Sequence, residues 1–484
     1  MSITSALSSA LSGLSAQSRA AEVVASNLAN LTTEGYARRD IELTAAGQDF
    51  GGGVRISNVT RHVDSGVLAD RRLADSSLAG AETRAGFLEG VQRTVGSPDA
   101  SGSLSARLAA FEASLVIAAA RPEDGTRLQA VALRASELAD AFNTASDDIQ
   151  ARRMAADAGI ETAVSTINTA LEQIGTLNAR IATATHKGQD TATLEHDRQR
   201  RIDSITPFLP LREIPRENGT IALMTPGGAV LLDGTVAKLD FTRANMVTPE
   251  TTLGAGGLSG LTINGRNVPP SGPGSPLGDG RLVALFELRD STATTAQAGL
   301  DALARDVTER LQAPGLDPTT GPGAAGLFTD GATAFTAADE TGIAGRMALN
   351  PAINPQDGTT LHRLRDGLGA ASPGPSGDAS LLNAVTDALT ARRVPASGPF
   401  AGQAHSLADH AAAFASRLGQ DARAADAELS FTATQRGELQ TMLLRDGVDS
   451  DAETSRLLVI EQAYGANARM IQTLDEMMQT LLRI

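Results

Sequence analysis

The longest helical pattern in the sequence is PEDGTRLQAVALRASELADAFNTASDDIQARRMAADAGIETAVSTINTALEQIGTLNARIATATHK, residues 122–187. Pro122 and the acids Glu123 and Asp124 are typical of a helix start, with proline in the first turn. A helix of about 60 residues is about 90 Å long. Apolar residues recur at the intervals of one helix face, namely Leu128, Val131, Ala135, Leu138, Phe142, Ala145, Ile149, Ile160, Val164, Ile167, Leu171, Ile174 and Ile181.

Shorter helical patterns and one β-like region surround this helix. The helical patterns are at 66–95, 104–119, 282–312, 380–393 and 406–444. Residues 220–224 and 229–232 flank Pro226-Gly227-Gly228 and predict a hairpin, and residues 236–241 and 261–263 predict further strands. The Pro- and Gly-rich residues 268–280 predict a linker that returns to helix.

These patterns predict a mainly α fold with an inserted β domain, organised in three parts. Residues 1–60 with 445–484 would form terminal coiled-coil helices with a turn and an extended segment. Residues 61–205 with 281–444 would form a long-helix bundle domain, in which 313–377 is irregular. Residues 206–280 would form the small, inserted β-rich domain.

Composition excludes several kinds of partner. The 484 residues include 41 Lys and Arg against 56 Asp and Glu, a net charge of −15. Binding to nucleic acid needs clustered positive charge, so we expect no nucleic-acid partner. The longest apolar run, residues 115–120, is far shorter than the roughly 20 residues of a membrane span, and the first residues do not resemble a cleavable signal peptide. We therefore expect no membrane partner.

Catalytic and cofactor-binding patterns are also missing from the sequence. The chain has no cysteine, which excludes disulfides and thiolate metal sites. No two of the six histidines have the i, i+3 or i, i+4 spacing that places two ligands on one helix face. His186, His196 and Asp197 come nearest to a cluster, and surface side chains are the better interpretation. Gly257-Leu258-Ser259-Gly260 is followed by leucine and is not a G-x-S-x-G motif. We expect no enzymatic activity, metal or cofactor.

Both ends of the chain carry four heptads of apolar residues with one polar position each. The first seam consists of Ile3, Leu7, Ala10, Leu14, Gln17, Ala21, Val24 and Leu28. The last consists of Leu457, Ile460, Tyr464, Asn467, Ile471, Leu474, Met478 and Leu481. Heptads sustained this long are typical of coiled coils, in which a single polar residue fixes the register. We assign that role to Gln17 and Asn467.

Two arrangements of these helices are open at this point. They could be ordinary amphipathic helices packed in one intramolecular bundle. However, Ala463, Met470 and Met477 form a second apolar stripe on the last helix, which one partner helix could not bury. Because ordering each backbone residue costs about 1–2 kcal/mol, such helices are marginal alone, and we expect them to become ordered when neighbours arrive. Between them, the chain should turn after Leu28 and extend through 41–43.

The motifs at the two ends resemble those of a known family. Residues 27–36 read NLANLTTEGY, which resembles the "NIANxNTPGY" stretch of bacterial flagellar rod, hook and hook-associated proteins. Residues 462–477 read QAYGANARMIQTLDEM, which resembles the C-terminal signature of the same family. Residues 447–453, GVDSDAE, resemble the "GVNLDEE" of the hook-associated protein 1 subfamily, the first junction protein between hook and filament, although Glu34, Ser450 and Ala452 depart from the patterns. Within the family, hook protein is the alternative, and outside it a cytoplasmic coiled-coil scaffold.

The resemblance implies a structural subunit that polymerises as a ring at the hook tip, with hook protein below and the second junction protein and filament above. It also implies export from the cytoplasm without a cleavable signal, a chaperone on the C-terminal helix, and an extracellular location in the flagellum. The terminal helices would form the inner wall of the assembly, with the helical domain outside them and the β domain outermost. The expected assembly interface comprises Ile3, Leu7, Leu14, Gln17, Ala21, Val24, Leu28, Asn30, Gly35, Tyr36, Leu457, Ile460, Tyr464, Asn467, Ile471, Leu474, Met478 and Leu481.

Overall fold

The computed structural model describes residues 3–31, 33, 36–46, 53–62, 64–254, 256–272, 274–445 and 447–483, apart from the side chains of Ile3, Leu481 and Leu482. The helices are α1 (Ile3–Ala29), α2 (Ser65–Val95), α3 (Leu104–Ala119), α4 (Gly125–His186), α5 (Ala192–Ile205), α6 (Arg281–Glu287), α7 (Ala293–Leu311), α8 (Arg363–Asp366), α9 (Ser380–Thr390), α10 (Leu407–Arg445) and α11 (Ser450–Leu482). The strands are β1 (Arg39–Ala45), β2 (Val54–Arg61), β3 (Arg212–Pro215), β4 (Ile221–Met224), β5 (Val230–Asp233), β6 (Thr235–Val236), β7 (Leu239–Asp240), β8 (Leu261–Ile263), β9 (Arg266–Val268), β10 (Phe328–Asp330) and β11 (Met347–Leu349). The mainly α fold with small antiparallel sheets is confirmed.

The long helix α4 spans 62 residues and is the axis of the molecule. Every residue of its predicted apolar face is buried. The helix begins later than predicted, at Gly125, because the Asp124 carboxylate accepts a hydrogen bond from the Thr126 N–H at 2.9 Å and caps the first turn. Pro122 therefore lies before the helix and not in its first turn.

Two hydrophobic clusters divide α4 between them. Its first half packs with α2, α3 and α7, in a core that also contains residues of α9 and the start of α10 and includes Phe111, Phe142 and Phe328. Its second half shares a core with α5, α6 and the strands β4, β5, β7 and β8, and this core includes Phe286. One helix thus joins the helical body to the β-rich region.

The β-rich region contains two sheets, with strand orders β3-β4-β5-β6 and β7-β8-β9. The predicted hairpin is β4–β5, in which Leu223 pairs with Leu232. The single strand predicted at 236–241 is wrong, because β6 and β7 belong to different sheets. The chain bends between them, where the Leu239 N–H donates to the Asn168 side chain of α4 at 2.9 Å and the Lys238 N–H donates to Asn264 at 2.9 Å.

The helix predicted at 282–312 is interrupted by a π-helical turn, Leu288–Thr292, between α6 and α7. This turn buries Arg289, whose guanidinium donates to Asp157 of α4 at 2.7 Å and to Asp290 at 2.7 Å. The other Asp157 oxygen accepts from the Ala244 N–H at 2.7 Å. The buried Asp157–Arg289 ion pair and the Ala244 hydrogen bond therefore connect α4, the π turn and the loop after β7.

Other elements were not predicted or differ from the prediction. The helix α5 and the strands β2, β3 and β9 were missed, and the stretch 313–377 contains β10, β11 and α8. The helix α9 ends at Thr390 instead of residue 393, because Arg393 pairs its backbone with His405. His405 also stacks on His410, with ring centroids 6.3 Å apart.

A buried ion network around Asp306 of α7 makes stability depend on pH. Burial favours the neutral acid, but a hydrogen bond from His410 and the Arg310 and Arg393 guanidinium groups outweigh it and hold the pKa of Asp306 at about 2. A lowered folded-state pKa contributes stability above the unfolded value, here about 2 kcal/mol, which is lost as the pH falls from about 4 to 2. We expect Asp306→Asn to lower stability at pH 7 and to flatten this acid dependence in urea unfolding. An unchanged pH profile would contradict this assignment.

Candidate assembly interface

The N- and C-terminal helices α1 and α11 pair with each other in antiparallel orientation. Near one end, Asn27 of α1 is bonded to Glu453 of α11, and in the middle Gly13 faces Asn467. A methyl group on Gly13 would lie 3.0 Å from the Asn467 side-chain nitrogen. Glycine thus allows the polar residue of the second seam to approach the first helix closely.

The paired helices cover the predicted seams only in part. Leu7, Leu14, Gln17, Ala21, Asn30, Tyr36, Ile460, Asn467 and Ile471 are half-buried, while Val24 and Leu474 are buried. Leu28, Leu457, Tyr464 and Met478 remain exposed. Ile3 and Leu481 lie within α1 and α11, but their side chains are outside the described part of the chain, as is Gly35 altogether.

A broad apolar surface on α11 faces solvent. It includes the second stripe residues Met470 and Met477 and two residues that the sequence reasoning missed, Leu458 and Val459, of which Val459 is 63% exposed. The signal was available, because the consecutive apolar residues 457–460 must point to all sides of a helix. Val459, Met470 and Met477 lie on one side of the helix, since their spacings of eleven and seven residues are close to whole turns.

Asn27 is the polar centre of the paired ends and is fully buried. Its amide donates to the Arg39 carbonyl at 2.9 Å and to the Glu453 carboxylate at 3.0 Å. Its Oδ1 accepts from the Tyr36 hydroxyl at 2.9 Å and from the Arg39 N–H at 3.0 Å. One side chain thus joins α1, the turn after it, β1 and α11, which gives a physical reason for asparagine and tyrosine in the segment 27–36.

Charged residues surround this centre. Glu453 is buried, and its second oxygen accepts from Arg456 at 3.2 Å. Arg456 also donates to Asp40 of β1 at 2.8 Å, and Asp40 in turn pairs with Arg38 at 2.7 Å. These charge-assisted hydrogen bonds give the turn a fixed position against α11. Neither Glu453 nor Asn27 was among the expected interface residues.

Tyr36 connects the terminal helices to the helical body. Its ring lies under the Arg39 guanidinium, 5.5 Å from the ring centroid, and meets the edge of His196 of α5 at 6.4 Å. Burial lowers the pKa of His196, and the cations Arg61, Arg200 and Arg39 lower it further. His196 is therefore a neutral packing partner at pH 7 and is not grouped with His186 as a ligand. Among the described residues, no three His, Asp or Glu side chains are placed to hold a metal ion.

Comparisons with known proteins agree with this geometry. Residues 7–36 match the family model of the flagella basal body rod protein. Residues 88–324 match that of the flagellar hook-associated protein FlgK helical domain. Residues 439–484 match that of the flagellar basal body rod FlgEFG protein C-terminal. Flagellar hook-associated protein 1 of Bacillus subtilis is 24% identical over 513 residues, covering 98% of this chain and 97% of that protein. The chain is therefore similar to a flagellar hook-associated protein 1 over nearly its whole length.

Other proteins named flagellar hook-associated protein 1 match over a shorter range. The protein from Salmonella typhimurium is 27% identical over 285 residues, 54% of this chain, and the alignment spans about half, 51%, of that relative. The solved structure of the flagellar hook junction protein FlgK from Burkholderia pseudomallei is 23% identical with a TM-score of 0.44, over 54% of this chain and 47% of that one. No helix in the described ranges has the length and apolar character to cross a membrane.

The hook-associated protein 1 pattern before the last helix has a structural role in this chain. Asp449, which stands where the family pattern has asparagine, caps α11 by accepting from the N–H groups of Asp451 and Ala452 at 2.9 and 3.1 Å. Aspartate and asparagine are both strong N-caps, so aspartate at position 449 preserves the capping of α11. Glu453, the last residue of the pattern, is the carboxylate bonded to Asn27.

Loss of the Asn27 side chain should loosen the terminal unit. We expect Asn27→Ala to leave the Arg39 N–H, the Arg39 carbonyl and one oxygen of Glu453 without their partner, at about 1–3 kcal/mol for each unsatisfied group. Amide exchange at Arg39, measured by NMR or mass spectrometry, should accelerate at least tenfold. Asn30→Ala is the matched control, because the Asn30 amide bonds only locally, to the Ser26 carbonyl at 2.8 Å, and it should leave Arg39 exchange unchanged. Equal exchange in both variants would refute the role of Asn27.

Proposed function

We propose that this chain is a structural subunit of the bacterial flagellum that polymerises at the hook tip as the first hook-filament junction layer. The observation that carries the proposal is the apolar surface of α11, which the antiparallel partner α1 leaves uncovered. A single copy has no further helix at this surface within the described ranges, so neighbouring copies are the natural cover. The similarity to flagellar hook-associated protein 1 and the rod-protein matches at both ends support the same conclusion.

The arrangement of the assembly follows from the same proposal. Residues 1–60 with 445–484 form the inner wall, residues 61–205 with 281–444 the surrounding helical domain, and residues 206–280 the outermost β domain. Hook protein lies below the ring, and the second junction protein and the filament lie above it. Before export through the flagellar type III apparatus, a chaperone covers the exposed face of α11. The activity is assembly and not catalysis.

Deletion of the gene distinguishes this function from the alternatives. We expect cells that build hooks of normal length but carry no filaments and shed flagellin into the medium. Cells without hooks would identify a hook subunit instead. Protein found only inside intact, flagellated cells would identify a cytoplasmic scaffold. Complementation with the intact gene is the control, and it should restore filaments.

A further inference from the structure

Three of the nine methionines of the chain lie near the end of α11, and all three are open to solvent. Met470 is 50% exposed, Met477 is 48% exposed and Met478 is 43% exposed. Met470 and Met477 are seven residues apart, so their Cα atoms are separated by about 10 Å along one side of the helix. Val459 lies on the same side. The thioethers therefore belong to the apolar surface that α1 leaves uncovered.

Methionine is the sulfur-containing side chain of this protein that an oxidant can reach. The sequence contains no cysteine, so no thiol competes for the oxidant. In the reaction with hydrogen peroxide, the methionine sulfur gains one oxygen atom and gives up two electrons, and the peroxide is reduced to water. The product is methionine sulfoxide, in which a polar side chain replaces an apolar one, and Met-rich interfaces are disrupted by this change.

We propose that Met470, Met477 and Met478 are oxidation sites that make the assembly surface of α11 sensitive to peroxide. In a single copy the sulfoxide costs little, because these exposed side chains keep the new S–O group in water. A neighbouring copy that covers the surface takes the group out of water, and a polar group buried without a hydrogen-bond partner opposes association. This inference rests on the proposed function, because it requires the exposed face of α11 to be covered in the assembly.

Assembly limits this sensitivity to the free subunit. Once a neighbouring copy covers Met470 and Met477, peroxide no longer has access to their sulfur atoms. A subunit oxidised before assembly regains its competence when methionine sulfoxide reductases restore the thioether. In that step the sulfoxide oxygen leaves as water, and a pair of thiols supplies the two electrons and becomes a disulfide.

Binding of the purified subunit to hooks isolated from a strain that lacks the gene tests the proposal. The triple variant Met470→Leu, Met477→Leu, Met478→Leu removes the oxidisable sulfur, and leucine resembles methionine in volume and in helix propensity. The double variant Met246→Leu, Met442→Leu is the matched control, because these methionines are 69% and 48% exposed but lie outside α11. Before treatment, both variants should sediment with the hooks as the wild type does.

After dilute hydrogen peroxide, we expect hook binding to fall at least about tenfold for the wild type and for the control variant. Binding of the triple variant should not change. Reductases for both sulfoxide epimers, supplied with a dithiol, should restore binding of the wild type. An equal loss in the triple variant, or no loss in the wild type, would overturn the proposal. If the untreated wild type does not bind hooks, the proposed function is overturned, and this inference with it.

Mass spectrometry of peroxide-treated samples tests the protection by assembly. In the free subunit, we expect sulfoxide to form at Met470 and Met477 at a rate similar to that at Met246, which is also exposed. In isolated flagella that carry the assembled protein, the rate should fall at least about tenfold at Met470 and Met477 and stay the same at Met246. Equal rates in the free and assembled protein at all three positions would contradict the protection and overturn the proposal.

Discussion

Val459→Asp is expected to abolish filament formation while leaving the free protein folded. Val459 is 63% exposed on α11, so the substitution costs the single copy little more than a difference in helix propensity, about 0.7 kcal/mol at most. In the assembled ring the same position is proposed to be covered by a neighbouring copy. Burial of an unpaired carboxylate costs several kcal/mol, and each 1.4 kcal/mol is a factor of ten in affinity.

Filament counts by electron microscopy measure this effect, and we expect a reduction of about a hundredfold or more. Val394→Asp is the control, because it is the same substitution at a residue that is 53% exposed but lies outside the terminal helices. The secreted level and the circular dichroism spectrum of the Val459→Asp protein should equal those of the wild type. Normal filament numbers with both variants would show that the exposed face of α11 is not an assembly surface.

Asp157→Ala is expected to have the largest effect on stability. Asp157 and Arg289 are both buried, and their 2.7 Å ion pair links α4 to the π turn. Removal of the carboxylate leaves Arg289 with Asp290 as its remaining carboxylate partner in the described structure and leaves the Ala244 N–H without its acceptor. Breaking one partner of a buried pair costs about 3–5 kcal/mol.

Chemical unfolding followed by circular dichroism measures this loss. Glu161→Ala is the matched control, one turn further along α4, where the side chain is exposed and pairs with Arg243 only at 3.9 Å. Its free energy of unfolding should change by less than about 0.5 kcal/mol. A change of similar size in both variants would mean that the Asp157–Arg289 pair does not hold the β-rich region to α4.

The helices of the fold could be predicted because burial of one face leaves a periodic pattern. The long helix α4 is the clearest case, since its apolar residues repeat along nearly its whole length. The helix α5 was missed because its buried face includes a charged residue, Arg198, which no apolar pattern reveals. The π turn was missed for the same reason, since the burial of Arg289 depends on Asp157, more than a hundred residues away.

The interface could be predicted in outline but not in its polar detail. Heptads located the seams in α1 and α11, and the second stripe, Ala463, Met470 and Met477, indicated a helix that is apolar on more than one side. The bonds from Asn27 to Glu453 and from Arg456 to Asp40 depend on the antiparallel register of the two helices, which the sequence of each helix alone does not specify. The role of the seam residues of α1 and α11 in assembly stays a prediction.

The central claim is that the exposed face of α11 is covered only between copies, and the reactivity of a cysteine at position 459 tests it most directly. Because the wild-type chain has no cysteine, Val459→Cys carries a single thiol. We expect rapid labelling by a polar maleimide in the free subunit and labelling at least about a hundredfold slower in isolated hooks, as for a thiol buried in an interface. Val394→Cys should react at the same rate in both states. Equal labelling of Val459→Cys before and after assembly would contradict the account.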